Sequence, residues 1–286
     1  MSATTGYKIV QLKNGARSVH SIAHAETFHP GIGPAAEAEA LYVRQLRLPE
    51  RVRETSEEFV IWDVGLGAAA NVLTAVKLIS ENLPQPKSIR IVSFDETSEA
   101  LEFALKHSNE LNYLAGFENQ ITELLQNNSA EFQNGKLSVN WEFLRGDFPT
   151  LISNLKLIPS HAILFDPHSP QKNPAMWTVS LFENLFHRLS PKRPCALANF
   201  TRSTLARTAM LLGGFFVGVG HATGFKEETT VAANTLDLIA EPLNTRWLER
   251  AMRSDSAEPL HEPMYSRAKL TPETIQKLRA HLQFQI

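Results

Sequence analysis

Residues 61–71, Ile-Trp-Asp-Val-Gly-Leu-Gly-Ala-Ala-Ala-Asn, constrain the fold more than any other stretch. Phe59 to Trp62 ahead of the turn reads as a short buried strand, and Asn71 to Ile79 behind it has the apolar spacing of a helix. Gly65 and Gly67 permit a sharp strand-to-helix turn and let a ligand come against the amides that open the helix. Such a turn suits a nucleotide, or a cofactor with a nucleoside half. Ala69 or Ala70 replaces the third glycine of a dinucleotide fingerprint, so the turn by itself is also compatible with a purely structural role.

The chain then alternates strand and helix signals, as a mostly parallel sheet with crossovers does. Ser88 to Phe94 is the next strand, ending at Asp95 and Glu96, with a helix from Ala100 to His107. A carboxylate at that strand end is placed to accept bonds from both hydroxyls of a ribose. Asp95 is the first choice for the role and Glu96 the alternative, while capping of the following helix is the bland reading of Asp95. A long helical region runs to Leu125, broken at Asn-Tyr and Ala-Gly-Phe, and Leu137 to Leu144 is a strand leading to Asp147. Asp147 is placed either to approach the base of the same ligand or to cap a helix.

With 286 residues the chain holds one substantial core with appendages. The expected division is an N-terminal hairpin, loop and helix over 1–45, an α/β core over 46–240 and an extension over 241–286. Tyr7 to Leu12, the Asn14-Gly15 turn and Ala16 to Ile22 make the hairpin. A helix over Ala35 to Leu46 follows a loop rich in proline and glycine. The formal charge of −2 gives no global basic field, so a nucleic-acid partner needs a local patch. Candidates for such a rim are Lys172, Lys192, Arg193, Arg202, Arg207 and Lys226. The single cysteine, Cys195, excludes an intrachain disulfide and a thiolate-rich metal site, and reads as a small core residue. No leader or membrane-spanning run is visible, so a soluble cytoplasmic protein with no resident metal is expected.

His161 to Phe165 is a further buried strand, and Asp166-Pro167-His168-Ser169-Pro170-Gln171-Lys172-Asn173-Pro174-Ala175-Met176-Trp177 leaves its end. Three prolines restrict this loop, while Asp166, His168, Lys172 and Asn173 bring polar chemistry beside what reads as an exposed rim of Trp177. Together with Asp63-Val64-Gly65-Leu66-Gly67-Ala68-Ala69-Ala70-Asn71, the loop resembles the S-adenosylmethionine-binding and active-site segments of the methyltransferase domain of the tRNA modification enzyme MnmC and its stand-alone relatives. Phe28-His29-Pro30, Gly33, Glu37 and the segment from Leu197 through Gly224-Phe225-Lys226 match as well, so the resemblance covers most of 7–230. Two departures stand out. Ala68-Ala69-Ala70 replaces Thr-Gly-Leu, and Pro167-His168-Ser169 replaces Gly-Phe-Ala.

The resemblance implies a Rossmann-like S-adenosylmethionine-dependent methyltransferase fold with a predominantly parallel central sheet. It implies methyl transfer to the exocyclic amine of 5-aminomethyl(-2-thio)uridine at the tRNA wobble position. Asp166 is then the catalytic carboxylate. Asp63, Gly65, Gly67, Asn71, Asp95, Asp147 and Asp166 are expected to hold the cofactor, and His168, Lys172, Asn173 and Trp177 the substrate. The oxidoreductase domain of bifunctional members has no room in 286 residues, so flavin is not expected. A dinucleotide oxidoreductase, a methyltransferase for another amine, and a non-catalytic RNA-binding relative are the alternatives.

Overall fold

The computed structural model describes residues 6–224 and 227–285. A three-stranded antiparallel sheet comes first: β1 (Tyr7–Gln11), β2 (Arg17–Ser21) and the short β3 (Glu26–Thr27). Asn14 and Gly15 turn β1 into β2 as expected, Gly15 taking a φ of 86°. The expected helix over Ala35 to Leu46 is realised as α1 (Pro34–Ala38) running into a π-helical stretch, Glu39–Arg44. Arg47 at φ 51° breaks it before α2 (Leu48–Glu54) begins.

The main sheet opens with β4 (Phe59–Val64), then α3 (Ala70–Glu81), β5 (Lys87–Asp95), α4 (Glu99–Lys106) and α5 (Glu118–Asn127). An antiparallel pair, β6 (Ser129–Asn134) and β7 (Leu137–Arg145), leads to α6 (Phe148–Asn154), β8 (Ala162–Phe165), α7 (Val179–Arg188), β9 (Ala196–Asn199) and α8 (Thr204–Leu212). β10 (Phe216–Gly220) and β11 (Thr229–Ala233) complete the sheet, and α9 (Thr245–Arg253) and α10 (Pro272–Ala280) follow. Among the described residues the eight strands lie in the order β10-β11-β9-β8-β4-β5-β7-β6. The five central strands from β9 to β7 are parallel, and antiparallel neighbours close both flanks. This is the Rossmann-like α/β arrangement. β6 is absent from the sequence reading, although Asn134-Gly135 is the pair that marks such a hairpin.

β4 shows why a central strand reads as a continuous apolar run. All six of its residues are buried, Phe59 and Ile61 facing the core that includes Leu73 and Val76 of α3. Val60, Trp62 and Val64 face the opposite core, built with Phe165, Phe182 and Leu197. Because β4 and β8 run in parallel register, Val64 beside Phe165, their following residues Gly65 and Asp166 emerge together at the carboxyl edge. That edge is where open parallel sheets bind ligands.

Beyond β11 the chain returns along β10. Leu243 N donates to Val217 O and Val219 N to Glu241 O, both at 2.9 Å. Gly218 makes this approach possible, since a Cβ there would stand 2.3 Å from Ile239 Cγ2 and 2.6 Å from Glu241 O. Gly218→Ala is expected to destabilise the fold by about 1–3 kcal/mol through overpacking. A lowered Tm in thermal unfolding checks this, and an unchanged Tm would show that the returning segment does not press on β10.

Candidate active site

A cavity of about 510 Å³ lies at the carboxyl edge of β4, β5 and β8. Its floor is the turn Val64 to Ala68, one wall is Phe94 to Thr97, another is Asp166 to Ser169, and residues 24–30 cover it. Gly65, at φ 93°, is required by crowding as well as by its turn: a Cβ would meet the Asp166 carbonyl oxygen at 2.6 Å. Gly67 N donates to Asp95 Oδ2 at 2.9 Å, and Ala69, where the resembling family has glycine, adopts φ 60°. Alanine therefore keeps the left-handed backbone here, at a cost of about 1–2 kcal/mol.

Asp166 is held by partners from distant parts of the chain. Asn71 Nδ2 donates to its Oδ2 at 2.8 Å, and His29 Nε2 approaches the same oxygen at 3.3 Å. His29 Nε2 also lies 3.0 Å from Asn71 Oδ1. Since that amide oxygen only accepts, Nε2 carries the proton and donates. Burial lowers the pKa of His29, but the Asp166 carboxylate, with Glu37 and Asn71, outweighs it and raises the imidazole above its ordinary value. Tyr42, wholly buried, donates its hydroxyl to Phe165 O at 3.4 Å; burial first and the Asp166 charge second push its pKa up. His29 and Tyr42 are absent from the candidate list drawn from sequence; Phe28-His29-Pro30 contributes there to the family resemblance, with no role given to His29.

The departure at Pro167-His168-Ser169 has a structural counterpart in the covering segment. Ser169 Oγ donates to Glu26 Oε1 at 2.6 Å, and His168 Nδ1 contacts Glu26 Oε2 at 2.9 Å. The His168 ring stacks on His24 with centroids 4.0 Å apart. Burial raises the Glu26 pKa, but the bonds from Ser169 and His168 prevail and hold its carboxyl below the ordinary range. The three-stranded sheet is thereby clasped to the Asp166 loop across the cavity mouth.

Of the residues expected from sequence, Gly65, Gly67, Asn71, Asp95, Asp166, His168 and Asn173 line the cavity, as does Glu96. Asp63, Asp147, Lys172 and Trp177 do not. Asp147 is exposed and caps α6, accepting from Thr150 N at 3.0 Å and from Thr150 Oγ1. Trp177 has no exposed rim: it is fully buried between Phe165 and Phe200, and its Nε1 donates to His168 O at 2.9 Å. It braces the loop from beneath because an indole offers the sheet a large apolar face. Lys172 is exposed. Of the expected basic rim, Arg193 pairs with Glu57 at the opposite edge and Arg207 is buried against Glu228; Phe225 and Lys226 lie outside the described residues. Cys195 is buried, and burial pushes its thiol up to about 11, consistent with a core role.

The donors fit S-adenosylmethionine. The glycine cradle leaves room for a ligand against backbone, and Asp95 stands at the β5 end where a ribose is held. Glu26, Glu37, Asp95, Glu96 and Asp166 line the cavity with no lysine or arginine among the described residues, a lining suited to a cationic ligand.

Asp63 lies beneath the cradle at 1% exposure. Ser93 Oγ donates to its Oδ2 at 2.7 Å, Trp141 Nε1 donates to Ser93 Oγ at 2.9 Å, and Oδ1 is buried without a partner. Burial, opposed by Ser93 and reinforced by Asp166 and Asp95, raises its pKa from 3.8 to about 7. The native state therefore binds more protons than the unfolded chain between these values. This contribution is full below the unfolded pKa and is lost as pH rises through about 7. Asp63→Asn is expected to lose less Tm than the parent on going from about pH 5 to about pH 8; parallel Tm–pH curves would remove the effect from this carboxyl.

Comparison with known proteins agrees with this geometry. Residues 112–235 match the family described as S-adenosyl-L-methionine-dependent methyltransferase. The tRNA 5-methylaminomethyl-2-thiouridine biosynthesis bifunctional protein MnmC of Aeromonas hydrophila is 27% identical over 68% of this chain and 30% of its own length. The protein of the same name from Leptospira interrogans is 26% identical over 68% and 30%. The chain thus spans about 30% of the length of these curated relatives. The crystal structure of MNMC2 from Aquifex aeolicus superposes with a TM-score of 0.68 at 23% identity, covering 98% of this chain and 85% of that one. Fold and matches together give the chain a Rossmann-like α/β fold similar to that of the MnmC methyltransferase domain, with residues 112–235 matching an S-adenosyl-L-methionine-dependent methyltransferase family.

Proposed function

We propose that the protein methylates the exocyclic amine of 5-aminomethyl(-2-thio)uridine at the wobble position of tRNA. The observation that carries this reading is the Asp166 carboxylate, fixed on one oxygen by Asn71 and His29 inside a cavity lined by acidic residues. The name borne by the MnmC relatives supplies the substrate class. When bound, S-adenosylmethionine supplies a methyl group activated by a sulfonium. Gly65, Gly67, Asn71 and Asp95 hold it, with Asp63 supporting the cradle from below and Asp147 acting only through its cap on α6.

Asn71 and His29 hold Asp166 at Oδ2, and the carboxylate so fixed orients a neutral amine and takes the proton that the amine must lose. Holding nucleophile and methyl donor in line removes much of the entropic cost of their encounter. His168 and Asn173 meet the acceptor at the mouth, and Trp177 keeps their loop in place. A different amine acceptor is the second reading, favoured by the Glu26 clasp where the resembling family has Gly-Phe-Ala.

Radiolabelled methyl transfer to tRNA bearing the 5-aminomethyl group, with none to the same tRNA lacking it, is the expected result. Digestion and mass spectrometry should place the added mass on the wobble nucleoside. Transfer only to a free small amine would select the second reading. Asp166→Asn should reduce single-turnover transfer by roughly 100-fold or more with folding retained, and an unchanged rate would remove the carboxylate from the chemistry.

A further inference from the structure

Along α9, Arg246, Arg250 and Arg253 recur at the i, i+4, i+7 spacing of one helix face, and all three are exposed. Trp247, Leu248 and Ala251 bury the other side. Glu249 stands at the margin of the stripe. No ion pair engages these three arginines, or Arg202, among the described residues. That sets them apart from Arg90, held by Glu58 and Glu142, and Arg193, held by Glu57.

Arg207 ties this surface to the active-site edge. It lies in the first turns of α8, immediately after β9, and its guanidinium bonds Thr230 Oγ1 at 2.9 Å, Thr229 O at 2.8 Å and Glu228 at 3.2 Å. The charges of Arg250 and Arg202 both bear on it. Arg202 itself is two residues past Phe200, a wall of the cavity. Cations therefore gather outside the cavity while carboxylates line its interior. Such a division fits a polyanion that presents an amine: phosphates on the outer surface, the amine-bearing base within.

We infer that Arg246, Arg250 and Arg253 of α9, with Arg202, form the face that binds the phosphodiester backbone of the RNA substrate. The inference rests on the tRNA reading above for its ligand. It assigns the segment after residue 240 a part in substrate binding.

The test compares the full chain with the triple variant Arg246→Ala, Arg250→Ala, Arg253→Ala and with Arg202→Ala. Lys192→Ala removes a cation from the opposite edge as a control. Binding of tRNA is followed by fluorescence anisotropy over a series of salt concentrations, and S-adenosylhomocysteine binding by calorimetry. The triple variant should bind tRNA at least roughly tenfold more weakly at low salt, with the log–log salt slope reduced by about one for each arginine that touches phosphate. Cofactor-product affinity and the Lys192 variant should be unchanged. Parental affinity and slope in the triple variant would overturn the inference. So would binding of phosphatidylserine vesicles in place of tRNA. Arginine-dependent tRNA binding without amine-dependent methylation would leave this face standing and remove the wobble-amine reading, whereas methylation unaffected by the triple variant would do the reverse.

Discussion

The backbone of Gly65 lies against the carbonyl of Asp166 so closely that no side chain fits between them. The rest of the site depends on this contact. It joins the turn after β4 to the loop after β8, and it brings Asn71, at the start of α3, within hydrogen-bond reach of a carboxylate 95 residues away. Parallel pairing of β4 with β8 sets the two loops side by side, but only a glycine lets them close. His29 then completes the arrangement from above, on a left-handed backbone at φ 49°. Its Nδ1 is buried without a partner. An uncompensated atom of that kind costs about 1–3 kcal/mol, which the surrounding contacts must offset.

Much of the architecture was legible because it is local. β4, its glycine turn and α3 follow from an apolar run, two glycines and a change of period, and the Asp166 loop from three prolines at a strand end. What escaped depends on distances that sequence does not display. Glu26 meets His168 and Ser169 across 142 and 143 residues, and nothing beside Glu26 in the chain foretells it. Trp177 misled for a related reason: an aromatic among polar loop residues suggests an exposed surface, yet its indole lies between Phe165 and Phe200. Asp147 had two readings, and its carboxylate adopts the capping one. The strand β6 is the exception, because its Asn134-Gly135 turn is a local hairpin signal.

The clasp gives the sequence departures a shared physical context. His168 and Ser169 bond one carboxylate, and His24 stacks on the same imidazole. A phenylalanine and an alanine at these positions would leave Glu26 half-buried without those bonds. Substitutions on either side are therefore coupled energetically, and neither is interpretable alone.

The walls of the cavity extend along the sequence from Tyr7 to Phe200. No single element contains enough of it to hold a ligand, so occupancy requires the covering strands, the glycine turn, the β5 end and the Asp166 loop to be assembled together. By mass action, a ligand that recognises this assembly stabilises the native state against its own loss. Cofactor supply would then govern the persistence of the folded chain as well as its turnover.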